Sequence, residues 1–112
     1  MGGVSPDMTE RIARNEATFR SINEDILRGR DQEDEATLIG FVCECGHADC
    51  SRLMELSPAE YERVRRDPWQ FAVVPGHELP AFEDVVERTE RYFVVRKLGD
   101  AGGIVTATDP RS

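Results

Sequence analysis

No apolar run in the chain approaches the roughly 20 residues that a helix needs to cross a bilayer. The start, Met1-Gly2-Gly3-Val4-Ser5, lacks both the basic segment and the apolar stretch of a secretory signal, so a cytoplasmic location is expected and no membrane partner. A glycine-rich nucleotide loop, a thioredoxin-like Cys-x-x-Cys, a nuclease constellation and an internal repeat are all absent. Positive charge is also short: 14 Lys plus Arg stand against 22 Asp plus Glu, for a formal charge of -8. Such a surface repels phosphate backbones and argues against nucleic acid as a partner. The local basic run of Arg63, Arg65 and Arg66 is interleaved with Glu60, Glu62 and Asp67, which reads as a mixed-charge helix face.

Cysteine is scarce, with three in the chain, but all three fall inside Cys43–Cys50, in the run Phe-Val-Cys-Glu-Cys-Gly-His-Ala-Asp-Cys. Three cysteines cannot all pair within one chain, and a reducing compartment favours thiolates over disulfides. The 112 residues are read as one domain, 1–112, with frayed ends. Its core is modest enough for a metal crosslink to add appreciably to stability.

Along the chain, a helix is expected from about Met8 to Leu27, with Asp7 as its cap and Glu10 in a capping box. Ile12, Phe19, Ile22 and Ile26 give it an apolar stripe that needs a partner, either the rest of the domain or the same helix of a second copy, so a homodimer through this helix is one expectation. Gly29 to Glu35 is a polar link. Thr37 to Glu44 reads as a strand that delivers Cys43 and Cys45, and Arg52 to Leu56 as a second. Ser57-Pro58-Ala59-Glu60 opens a short helix that ends near Arg66, because Pro68 restricts Asp67 and lacks an amide donor. Phe71 to Val74 is a third strand, Pro75 to Pro80 a loop, and Val85 to Val95 a hairpin or bent ribbon whose middle, Glu87 to Arg91, has no high-propensity two-residue turn. Asp100 to Gly103 ends that ribbon, and Ile104 to Thr106 could add an edge strand. The fold class is α+β: a long amino-terminal helix and a short second helix on a small, mainly antiparallel sheet with a structural zinc knuckle.

Crowded thiolates repel one another and raise their own pKa values unless a cation compensates them, so close thiol spacing has a physical use in metal binding. The expected ligand set is Cys43, Cys45, Cys50 and His77, holding a structural Zn2+. His47 is the alternative fourth donor. His77 is preferred because an ion that joins separate elements stabilises a fold more than one confined to its own loop. Asp49 and Glu78 suit hydrogen bonding around the site rather than ligation. A filled shell leaves no open position for water activation, and no catalytic residue is assigned; Ser51 and Ser57 have no base partner.

The chain resembles a group of small actinobacterial proteins. The resemblance is carried by Arg14-Asn15-Glu16 with Phe19-Arg20 and Asn23-Glu24, by Phe41-Val42-Cys43-Glu44-Cys45 with Cys50, by Glu60-Tyr61-Glu62 with Val64-Arg65, by Pro75-Gly76-His77-Glu78, by Val85-Val86-Glu87-Arg88 and by Asp109-Pro110-Arg111. It implies a shared fold and metal binding and supplies no activity.

The function expected from these residues is a small intracellular zinc-binding protein that interacts with another protein or regulates it, with Tyr61, Trp69, Phe71 or Phe82 as candidate anchors. A small-molecule-binding metalloprotein or metal-dependent enzyme would instead need an open coordination position beside Asp49, Glu78 or Arg88. A DNA-associated regulator would need Arg63 and Arg66 displayed together toward a groove.

Overall fold

The computed structural model describes residues 6–29, 35–47, 49–98 and 111. A long helix, α1 (Pro6–Gly29), precedes a hairpin of β1 (Ile39–Val42) and β2 (Leu53–Leu56), a short helix α2 (Pro58–Arg65), strand β3 (Gln70–Val73) and a second hairpin of β4 (Glu83–Arg88) and β5 (Phe93–Lys97). Strand β5 lies between β3 and β4, and every pairing is antiparallel. The expected α+β architecture is present, with the small sheet divided into a two-stranded and a three-stranded part. The Glu44 amide bridges them by donating to the Ala72 carbonyl at 2.9 Å. The polar link at 30–34, the ribbon end expected at Asp100 to Gly103 and the edge strand expected at Ile104 to Thr106 lie outside the described residues.

Local signals explain α2. The Ser57 hydroxyl accepts from the Glu60 amide at 3.1 Å while the Glu60 carboxylate accepts from the Ser57 amide at 2.9 Å, a complete capping box with Pro58 at the first helical position. Such a cap contributes about 1 kcal/mol. Strand β4 runs further than the sequence suggests and absorbs an extra residue as a bulge between Val85 and Glu87. In place of an Asn-Gly turn, the amide and hydroxyl of Thr89 both donate to the Tyr92 carbonyl, at 2.9 and 2.7 Å, and close the hairpin.

The long helix departs from its expected burial. It reaches back to Pro6, so Asp7 lies inside the first turn, and Glu10 meets Arg14 at 3.1 Å. The apolar stripe is not its buried face: Ile22 is 40% exposed, while Ile12, Phe19 and Ile26 are half-buried. Ala13, Glu16, Ala17, Arg20, Asn23, Glu24 and Leu27 are buried instead. The polar members of that face are tolerated because each meets a partner on another element, the condition for burying charge. Arg20 donates to the Pro68 carbonyl at 2.7 Å and lies 4.6 Å over the Phe71 ring. Glu24 takes Arg65 and Arg111 at 2.6 Å each. Glu16 meets Lys97 at 2.9 Å, and Lys97 also pairs with Glu83 at 3.3 Å. Burial pushes the Glu16 carboxyl well above its usual value against the pull of Lys97, with Glu83 adding to the rise.

Between these polar layers sits an apolar core that includes Phe41, Met54, Leu56, Tyr61, Val73 and Val95. Phe41 and Tyr61 stack with ring centroids 4.5 Å apart, a contact that contributes about 0.5–1.5 kcal/mol beyond its area. No helix among the described residues is long and apolar enough to cross a membrane.

Candidate metal centre

The first hairpin and the loop after β3 place the donors. Beyond Val42 the chain stays extended: the Cys43 amide donates back across the hairpin to the Arg52 carbonyl at 2.9 Å, and Glu44 turns its own amide to β3. Side chains alternate along such a run, so Cys43 and Cys45 face one way and Glu44 the other. Gly46 then passes beneath α1, where a Cβ atom would stand 2.4 Å from Ile12 Cγ2, and its carbonyl accepts from Asn15 at 3.0 Å. A turn closed by the Cys50 amide on the His47 carbonyl, at 3.1 Å, returns the chain with Cys50 at its end. From the other side, Gly76 adopts φ 93°, a conformation that favours glycine, and the His77 amide donates to the Val74 carbonyl at 2.9 Å.

These segments bring Cys43, Cys45, Cys50 and His77 together, with one donor atom from each lying within 4.8 Å of all the others. His77 Nδ1 is 3.7 Å from Cys43 Sγ and 3.6 Å from Cys50 Sγ. A tetrahedral zinc with ordinary bond lengths requires sulfur-to-nitrogen separations of about 3.6 Å. The cluster is therefore geometrically consistent with a structural zinc site. Backbone amides are aimed at every sulfur: Val74 and Cys45 toward Cys43, His47 toward Cys45, and Arg52 toward Cys50. Donors around sulfur favour the anionic form that a metal requires.

The sulfurs also compete for charge. The hydrogen bond from Cys43 holds the Cys45 thiol far below its usual value, while that same bond together with burial drives Cys43 far above it. Burial raises Cys50 as well. A divalent cation relieves this competition by favouring the thiolate form of all three.

The other sequence candidates fall outside the cluster. His47 and Asp49 are exposed. Glu78 accepts from the Gly76 amide at 3.0 Å, which steadies the loop that carries His77. Arg88 lies 5.5 Å over the Phe93 ring on the second hairpin. A cleft of about 340 Å³ between α2 and the three-stranded sheet is lined by Arg63, Val64, Gln70, Val86 and Glu87 among others, and a second of about 380 Å³ lies along α1; neither includes a donor of the cluster.

Sequence reasoning missed Glu44. Fully buried between Cys43 and Cys45, its carboxylate accepts from Asn23 at 2.8 Å, from the Tyr61 hydroxyl at 2.5 Å and from the Ala72 amide at 2.9 Å. Burial raises its pKa against those donors, and burial together with Glu44 raises that of the Tyr61 phenol. The available signal was a carboxylate set between two cysteines at the end of an apolar strand, where burial demands partners. Comparison of the chain with family models, with curated proteins and with solved structures finds no match.

Proposed function

We propose that the chain is a small zinc-binding regulatory module that acts by docking on another protein. The observation that carries this reading is the four-donor cluster: three sulfurs and one imidazole nitrogen suffice to fill a tetrahedral shell and leave no position for substrate or activated water. Zinc held by Cys43, Cys45, Cys50 and His77 ties the first hairpin to the loop after β3, which is a structural role. The motifs around these residues that resemble small actinobacterial proteins agree with metal binding, and a reducing cytoplasm would keep the thiols available.

Docking draws support from the outer face of the first hairpin. The register Val42 to Leu53 sets Leu38, Val42 and Leu53 on the side opposite the buried Phe41 and Met54. Leu53 is 65% exposed and Leu38 43%. The apolar surface is thus aliphatic rather than aromatic: Tyr61 and Phe71 are fully buried, and Trp69 and Phe82 are half-buried. The enzyme reading is weakened by clefts that lie apart from the cluster. For the DNA reading, Arg63, although exposed, is paired with Glu87 at 3.0 Å and Arg65 is buried against Glu24, so the basic run is partly neutralised and partly withdrawn.

Native mass and metal analysis with and without a strong chelator tests the metal, giving one zinc per chain and the number of subunits together. A Leu38→Glu, Leu53→Glu double variant then tests the surface. It should keep zinc and fold while losing a partner recovered with the wild type. Folded protein without zinc, or a variant that binds as the wild type does, would overturn the reading.

A further inference from the structure

We infer that the cluster is also a redox site, in which a hydroperoxide oxidises Cys50, Cys45 closes a disulfide on it, and the metal leaves. The inference rests on the metal reading above and adds a reaction to it.

Access selects the first sulfur. Cys43 and Cys45 are 1% and 0% exposed, whereas Cys50 is half-buried at the rim beside the half-buried His77. A small oxidant from solvent therefore meets Cys50 first, and susceptibility follows thiolate character and exposure.

Position in the loop selects the second. The hairpin pairing ends at Val42 and Leu53, with one further bond from the Cys43 amide to the Arg52 carbonyl at 2.9 Å, and Cys45 and Cys50 flank the turn beyond it. Their sulfurs lie within 4.8 Å of each other at the two ends of one short loop. Cys43 is held by distant segments, its sulfur accepting from the Val74 amide at 3.1 Å and its own amide paired with Arg52, whereas the amide at the Cys45 sulfur comes from His47 in the same loop.

The chemistry balances. The Cys50 thiolate attacks the outer oxygen of the hydroperoxide, the O–O bond breaks, and hydroxide or alkoxide departs, leaving a sulfenic acid at Cys50. The Cys45 thiolate then attacks that sulfur, forming the S–S bond and expelling hydroxide. Two electrons pass from the sulfur pair to the peroxide, and two protons from solvent neutralise the released bases. Cys43 and His77 alone cannot hold zinc in a closed shell, so the ion dissociates and the first hairpin is released from the loop after β3. A dithiol reductant reverses the bond by exchange.

The test uses the zinc-loaded full chain, with metal content measured first, then excess hydrogen peroxide in the presence of a chromogenic zinc chelator, thiol counting and peptide mapping by mass. The expected result is release of the bound zinc with loss of two of the three thiols, a Cys45–Cys50 crosslink, and recovery on adding dithiothreitol and zinc. Zinc retained under peroxide would overturn the redox inference while leaving the metal reading intact. So would release with a sulfinic acid at Cys50 in place of a crosslink, or a crosslink that contains Cys43. Protein that carries no zinc at the outset would overturn both.

Discussion

Asn23 on α1 acts as a strand partner for Val42 on β1: its amide nitrogen donates to the Val42 carbonyl and its amide oxygen accepts from the Val42 amide, both at 2.8 Å. One side chain thereby satisfies a strand edge that no strand among the described residues covers, and its nitrogen also donates to the Glu44 carboxylate at 2.8 Å.

Asn23→Ala would leave the Val42 amide, the Val42 carbonyl and one donor position on Glu44 unmet. Each buried group left without a partner costs about 1–3 kcal/mol, so a loss of about 3 kcal/mol or more is expected in urea unfolding of the metal-loaded protein. A loss below about 1 kcal/mol would mean that the strand edge is satisfied in some other way.

The two histidines separate cleanly in the structure. His77→Ala should lose bound zinc, while His47→Ala, altering an exposed ring outside the cluster, should retain it. Metal analysis after desalting reads the difference directly. Stoichiometric zinc in the His77 variant would reject the ligand set.

Gly46→Ala places a carbon 2.4 Å from Ile12 Cγ2 and 3.1 Å from Leu79 Cδ1. Overpacking of this kind costs about 1–3 kcal/mol, and here it pushes α1 away from the loop between Cys45 and Cys50. Ile12→Ala in the same background should recover part of the loss, a non-additivity of more than about 0.5 kcal/mol in a double-mutant cycle. Strict additivity would place the strain elsewhere.

The Arg91 guanidinium, donating to Glu60 at 2.7 and 3.0 Å, holds that carboxyl down at about 2, with the Ser57 amide helping. A folded value below the unfolded one, about 4.3, means that the stabilisation is full above the unfolded value and disappears as pH falls through about 2. Arg91→Ala should therefore be less stable than the wild type by a constant amount near neutral pH, with the gap narrowing between about pH 4 and pH 2. Added salt should shrink the gap too, since both side chains are partly exposed. A gap that widened on acidification would contradict the pairing.

What was legible in the sequence was mostly what is local. Ser57, Pro58 and Glu60 announce α2 within four residues, and Pro68 limits it; Cys43, Cys45 and Cys50 announce a cluster by spacing alone. The preference for His77 over His47 came from asking what a crosslink would join, and the structure places His77 with the three sulfurs. The face of α1 was misread because hydrophobic periodicity counts apolar residues only. Burial of Glu16, Arg20, Asn23 and Glu24 depends on partners such as Lys97, Pro68, Val42 and Arg65, positions that no window of helical length can contain. The β4–β5 turn was obscured for a similar reason: Thr89 closes it with a hydroxyl, outside the usual turn vocabulary.

The alternation of Cys43, Glu44 and Cys45 makes this tripeptide a torsional lock. Sulfur is gripped on one side and the carboxylate on the other by Asn23 and Tyr61, so the hairpin tip cannot twist about its long axis without pulling against both helices at once.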